Sequence, residues 1–399
     1  MKTIPPALGI LVMLLEGAPA LRAEDALSLA GSGQQLNVLA GRGVAFADLN
    51  ADGHLDAFVV NSTSPDGEGF RVYFGDGRGR FAESDQQLSS RAGFESRPAV
   101  GDFDGNGALD VVTGNTVWLN DGRGRLAEHA DRIVSEVPAD LTVVRAGDLN
   151  GDGRPDLVAV SDWRVLRIFL NDGQGRFRDT GQRHGGAGIV GSLALGDVDG
   201  NGTIDVVTGG WKLEDSSYCP SRVWLNDGHG RLHDSGRAFE EGGHHVHGID
   251  LGDVNGDGRL DVVLAMTTPG HAAKVYLNEG GGVFRDSGRI IGHSWAHSVA
   301  LGDLDGDGHP DLFLTCGEPA TGTANEVWLN DGRGRFRDSG LRLGEAFSWD
   351  AALGDFNGDG RLDVFVANLR LVDGSKNPPV FGGKAAEVWV NTTTPGRPR

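Results

Sequence analysis

The stretch GDVNGDGRLDVV spans residues 252–263. Within it Asp253, Asn255, Asp257 and Asp261 take positions 1, 3, 5 and 9 of a nine-residue window, with Gly258 at position 6. Side chains bearing so many oxygens repel one another at this distance unless a cation joins them. Together with the carbonyl at position 7 they form a donor set suited to Ca²⁺, which takes about six to eight oxygen ligands. Glycine at position 6 lets the backbone turn through positive φ. The window starts like an EF-hand, which needs a Glu at position 12 and flanking helices. Position 12 is Leu264, and a β-rich apolar run begins directly after position 9, so the EF-hand reading fails.

The window recurs. Its four donor positions are Asp48, Asn50, Asp52 and Asp56 in the first copy, then Asp102, Asp104, Asn106 and Asp110, then Asp148, Asn150, Asp152 and Asp156. Copy four has Asp197, Asp199, Asn201 and Asp205, and copy five is the opening stretch. Copies six and seven have Asp303, Asp305, Asp307 and Asp311, and Asp355, Asn357, Asp359 and Asp363. The spacing is close to 50 residues, and each of the first six copies is followed by a second motif such as VWLNDGHGRL, residues 223–232. Seven copies in register make an incidental Asx-rich turn a poor explanation.

Each unit reads as four short strands: an apolar run before the Asp motif, another after it, VWLN, and the start of GRFRDSG (334–340). The NDGRG turns carry the residues that hairpins need. Four strands per 50-residue repeat predict propeller blades rather than a solenoid. The seventh unit lacks its fourth strand, and LAGSGQQL (29–36) resembles the fourth-strand ends elsewhere. Pairing it with strand three of the last unit would close the ring and leave no open edge. The expected fold class is all-β, a seven-bladed propeller over residues 24–391, with a tail at 392–399.

Composition is consistent with this. Gly is frequent, at 65 of 399 residues, yet 39% of the chain is apolar, enough for a packed core. The formal charge of −20 is wrong for a nucleic-acid binder. The seven motifs hold 22 aspartates, and seven Ca²⁺ ions would take the charge from −20 to −6. Residues 1–23 read as a signal peptide, with Lys2, the apolar run ALGILVMLL and an A-x-A-like site at Ala18–Ala20. Nine apolar residues are too few to cross a hydrocarbon core of about 30 Å. The expected location is secreted or periplasmic, with no membrane span. The two cysteines, Cys219 and Cys316, are permitted to pair there, and spacing does not decide whether they do.

The pattern ALGDVDGNGTIDVV (194–207), paired with VWLNDGHGRL, resembles the FG-GAP/VCBS repeat of the integrin α-subunit propeller and its secreted bacterial relatives. The resemblance implies a seven-bladed propeller with Ca²⁺ held between strands one and two at the motif positions given above. Ala51 departs from the usual Gly at position 4. The family contains adhesion modules, lectins and some polysaccharide-cleaving enzymes, so the fold does not name an activity.

Residues that break the repeat are the better ligand candidates. Trp118, Trp224, Trp328 and Trp389 share one strand-three position and read as packing. Trp163, Trp211, Trp295 and Trp349 fall outside the pattern, on the face opposite the Asp loops. Histidines gather there too, in GGHHVHGID (242–250) and GHSWAHSVA (292–300). His247 and His297 each lie six residues before the first Asp of their motif, and Trp349, followed by Asp350, takes that place in the next unit. The candidate ligand-binding set is His244, His245, His247, His293, His297, Trp211, Trp295, Trp349 and Asp350. Aromatic faces and imidazoles suit sugars, and His245, His247 and His297 are also a conceivable transition-metal set. The expectation is a monomeric, non-catalytic module for a glycan or an extracellular protein. The alternative is a polysaccharide lyase using His247 or His297 with Tyr218. No G-x-S-x-G, H-E-x-x-H or P-loop pattern is present.

Overall fold

The computed structural model describes residues 27–36, 41–61, 69–88, 97–129, 133–135, 140–185, 189–211, 219–239, 245–268, 271–317, 323–373, 380–383 and 385–393. The expected signal peptide, Tyr218 and His244 lie outside the described residues. Seven antiparallel sheets form the blades of a propeller, and no helix occurs among the described residues. Blade five is typical: Val246–Gly252, Asp261–Thr268, His271–Asn278 and Phe284–Ile291 pair in chain order. The ring closes as its sequence suggests. Leu29–Leu36 pairs with Ala386–Asn391, the third strand of blade seven, with Leu29 opposite Asn391 and Leu36 opposite Ala386.

Two blades are elaborated. In blade three, Ile133–Val134 adds a parallel bridge to Phe177–Asp179. In blade seven, Val380–Gly383 pairs with the long second strand Asp363–Asp373.

The core lies between blades, which explains why second strands read as unbroken apolar runs: both faces are covered. Val206 and Trp224 of blade four pack toward blade three with Val158 and Ile168. Their neighbours Val207 and Val223 pack the other way, toward Val262 and Leu264 of blade five. Strand alternation therefore sends successive side chains into successive interfaces. The closing interface is aromatic. Phe46 of blade one lies 4.7 Å from Phe356 and 5.4 Å from Phe365 of blade seven, between ring centroids.

The NDGxG motif clamps blades together. Asn226, 3% exposed, donates from Nδ2 to the Ile204 carbonyl of its own blade and to the Leu149 carbonyl of blade three, both at 2.9 Å. The Gly230 amide donates to the same Leu149 carbonyl at 2.9 Å. The same Asn arrangement recurs at Asn120, Asn171, Asn278, Asn330 and Asn391. Blade one has Gly75 at this position, and there the Gly79 amide reaches the Phe356 carbonyl alone.

Candidate functional site: aspartate loops and the channel mouth

Each Asp motif connects strand one to strand two. The position-6 glycines all adopt positive φ, from +83° at Gly360 to +89° at Gly308. Position 4 is also left-handed, and in the first copy Ala51 takes it with φ +59°. An L-residue with a Cβ pays about 1–2 kcal/mol for that conformation.

The position-1 carboxylate organises the loop. Asp253 Oδ1 accepts from the Gly256 and Asp257 amides at 2.7 and 3.1 Å, and Oδ2 accepts from Gly258 at 2.7 Å. The position-9 carboxylate is fully buried and ties strands together. Asp261 Oδ2 accepts from the Val254 amide and Oδ1 from the Asn278 amide of strand three, at 3.1 and 2.7 Å. Burial pushes these carboxyls up, to about 6 at Asp56, Asp110, Asp205, Asp261 and Asp363, about 7 at Asp156 and about 8 at Asp311. Loop carboxylates beside them push the same way.

The donor chemistry fits a hard divalent cation. Carboxylate oxygens of Asp102, Asp104 and Asp110 lie within 4.8 Å of one another, as do those of Asp197, Asp199 and Asp205, and of Asp303, Asp305 and Asp311. Where position 3 is Asn, its amide is oriented by the loop: Asn50 and Asn150 donate to Asp52 and Asp152 at 2.9 Å. Arg at position 7 pairs with the position-5 Asp in three copies, as Arg259 does with Asp257 at 2.5 Å.

At the other end of the first strands lies an open cavity lined by residues of every blade. A repeated β-bulge builds it. In blade five the pairing skips from Val246 to Gly248, leaving His247 as the extra residue. The same skip leaves out Arg42, Thr142, Gly191, His297 and Trp349 in blades one, three, four, six and seven. A bulge re-aims the side chain it inserts, and of these six residues all but Thr142 line the cavity.

The expected cluster largely comes together. His247 and His297 ring centroids are 5.2 Å apart, and His297 stacks on Trp349 at 4.9 Å. Trp211 lies 4.3 Å from His247 and 5.7 Å from His245, and donates from Nε1 to the Val246 carbonyl at 2.7 Å. Gly191 is needed beneath it, since a Cβ there would meet the indole nitrogen at 1.9 Å. Asp350 is buried; it accepts from the Val44 amide at 3.2 Å and from Arg97 Nε at 2.7 Å.

Two candidates lie apart. His293 pairs with Glu326 at 3.1 Å and packs on Trp328 at the outer part of blade six, with 57% of its side chain exposed. Trp295 has a buried indole nitrogen and is not among the cavity's lining residues. Cys219 and Cys316 are free thiols, half-buried and buried.

Burial holds the histidines neutral. It lowers His297 to about 4 and His247 well below 6.5, the neighbouring imidazoles adding to the effect at His247. His297 Nε2 lies 3.1 Å from the Gly317 carbonyl. In the neutral ring Nε2 must carry the proton, leaving Nδ1 as an acceptor.

Three arginines are not among the expected residues, and Trp163, expected on this face, is not in the candidate ligand-binding set. Arg42, Arg97 and Arg145 line the side of the cavity built by blades one to three. Arg42 sits six residues before Asp48, the offset of His247 and His297, so its signal was available. Arg145 sits three before Asp148, where five other blades have Ala. Trp163 also lines the cavity, from the three-residue hairpin loop 162–164, in which Asp162 and Trp163 have φ +51° and +59°.

Against known proteins, the model of the FG-GAP-like repeat matches residues 48–113, 113–159, 148–208, 216–264, 253–314 and 315–366. No curated protein sequence matches the chain. The fold is similar to the crystal structure of BBS1N in complex with ARL6DN, soaked with mercury, with a TM-score of 0.55 and 10% identity over 93% of this chain and 99% of that one. No helix is long and apolar enough to cross a membrane among the described residues. The repeat matches run through most of the propeller, and the chain belongs to the FG-GAP-like repeat family.

Proposed function

We propose that this propeller is a secreted or periplasmic, Ca²⁺-stabilised module that binds a glycan or an extracellular protein surface without catalysis. The ligand meets the channel mouth, at the end of the first strands away from the Asp loops. One observation carries the reading: an open cavity at the channel mouth lined by every blade, built from the residues that break the repeat. In a fold whose repeated positions maintain the ring, such departures are where binding specificity resides.

Ca²⁺ would be held by the oxygens at positions 1, 3, 5 and 9 of each motif, with the position-7 carbonyl. It would supply positive charge to clustered carboxylates and fix the hairpin between strands one and two. The clustered Asp oxygens and the glycine-dependent turns support this role.

A glycan array probed with wild type, His247→Ala and His297→Ala tests the site, with melting curves confirming that the variants fold. Binding that falls in both variants, with no unsaturated product, supports the module. Binding unchanged in both moves the ligand off the mouth. Absorbance from an unsaturated uronide during incubation would instead support the lyase alternative.

A further inference from the structure

We infer that the channel mouth selects an anionic sugar residue, its carboxylate or sulfate held by the Arg145 guanidinium and its ring face laid on the Trp163–Trp211 stack. This rests on the binding-module reading above and names the ligand class of that site.

Charge is the first argument. The whole chain carries −20, yet three guanidiniums and one carboxylate line this cavity. That carboxylate, Asp350, is already taken up by Arg97 and the Val44 amide. Arg97 also donates to Ser298 of blade six, which fixes it across the mouth. Asp250, near Arg97 and Arg145, accepts from the Leu301 and Leu251 amides at 2.9 Å, and burial raises its pKa. Arg145 has one hydrogen bond among the described residues, from Nη1 to the Val144 carbonyl at 2.8 Å. Burial, with Arg97 adding to it, lowers its pKa to about 10, and the Asp350 and Asp250 carboxylates offset this only in part. A partly desolvated cation with most of its donors unused is relieved by an anion, and the guanidinium fork matches a carboxylate or sulfate.

The tryptophans that blades three and four bring to the cavity favour a sugar over an acidic peptide. Trp163 and Trp211 stack at 6.2 Å with 27° between their planes. Such flat faces suit the C–H surface of a pyranose. His247 is half-buried beside them and makes no hydrogen bond among the described residues, so its ring nitrogens are available to ligand hydroxyls.

Backbone strain points to the same wall. Trp163 occupies a left-handed position, in the hairpin loop 162–164, that Gly or Asn ordinarily fills. Such outliers gather at functional sites. The turn closes through Arg164 N to the Ser161 carbonyl at 2.9 Å, and the Trp163 carbonyl accepts from Val190 of blade four at 2.7 Å. The indole is thus held at the cavity wall at a cost that packing alone would not select.

Intrinsic tryptophan fluorescence, titrated with trigalacturonate, galactose 6-sulfate, neutral galactotriose and hexaglutamate, tests the inference. The anionic sugars should bind at least tenfold more tightly than galactotriose, and Arg145→Gln should remove that advantage while leaving the melting temperature in place. Which of the two anions binds tells carboxylate from sulfate. Trp163→Gly should weaken sugar binding by a similar factor while raising or preserving stability, an outcome that a purely structural tryptophan would not produce. Equal binding of galactotriose overturns the anionic selection and leaves the module standing. Binding of hexaglutamate without sugars overturns the inference in favour of a protein partner. Silence from all four probes, in a protein that also fails on the glycan array, overturns both readings.

Discussion

Replacing Asn330 by Ala tests whether the NDGxG motif holds the ring together or merely terminates a strand. Asn330 is 4% exposed. Its Nδ2 donates to the Val254 carbonyl of blade five at 2.9 Å and to the Pro310 carbonyl of its own blade at 3.0 Å. Alanine removes both bonds, and with them the Oδ1 that accepts from the Gly332 amide at 3.2 Å. The Val254 carbonyl retains the Gly334 amide at 2.8 Å, so the main loss falls on the half-buried Pro310 carbonyl. A lost hydrogen bond costs about 1 kcal/mol and a stranded buried acceptor about 1–3 kcal/mol, giving a total near 3 kcal/mol. With an unfolding entropy of ~2.1 cal/mol/K per residue over a propeller of this length, the melting temperature should fall by about 4 °C. Asn330→Asp is the shape control. It keeps the size but offers no donor, and it places a carboxylate near the Asp311 carboxylate that accepts from the residue-330 amide. It should destabilise at least as much as Ala. Differential scanning fluorimetry with urea titration reads both variants. If Ala costs under about 0.5 kcal/mol and Asp is no worse than wild type, apolar blade packing carries the ring and the clamp argument is wrong.

Three further outcomes are expected. Chelation by EDTA should lower the melting temperature by many degrees, and millimolar CaCl₂ should restore it where MgCl₂ does not, because Mg²⁺ dehydrates reluctantly and demands a tighter octahedron; an unchanged melt removes Ca²⁺ from the account. Ala51→Gly should stabilise the first Asp loop by about 1 kcal/mol by relieving its positive φ, measurable by urea unfolding at saturating Ca²⁺. The buried His297 makes an acid-limb prediction. Its folded pKa, about 4, lies below the ordinary 6.5. The unfolded state therefore takes up its proton first, and stability falls as pH drops from about 6.5 to about 4. The full drop corresponds to ~3 kcal/mol, and His297→Gln should flatten that part of the stability-against-pH curve relative to wild type.

What was legible in the sequence and what was not divide along one physical line. The Asp windows, the VWLN strands and the NDGxG turns repeat because each position serves the backbone of its own blade or its neighbour: Asp261 bonds two amides, Asn226 bonds two carbonyls, and Gly258 supplies a positive φ. A role repeated seven times writes itself as a period, and even the spare strand at Leu29–Leu36 could be matched to the gap in blade seven. The cavity has no period, because a binding site in a ring must break the symmetry of the ring. His247, His297 and Trp349 were found from a shared offset, and Arg42 shared it too. Arg97 and Arg145 fall at other offsets. Only the bulge register shows that positions six, five and three before the Asp motif supply the residues around one channel, the bulged residue being the extra one. His293 shows the reverse error. It sits in the same histidine-rich stretch as His297, but four residues of chain place it against Glu326 of strand three, a partner that strand spacing alone does not reveal. A glutamine cap such as Gln182, which donates to the Gly230 carbonyl and accepts from the Leu232 amide, was equally hidden, because its two partners lie about 50 residues downstream. Local chemistry repeated along the chain can be read from one sequence. Chemistry assembled once, across blades, becomes readable only when the register of the bulged first strands is known.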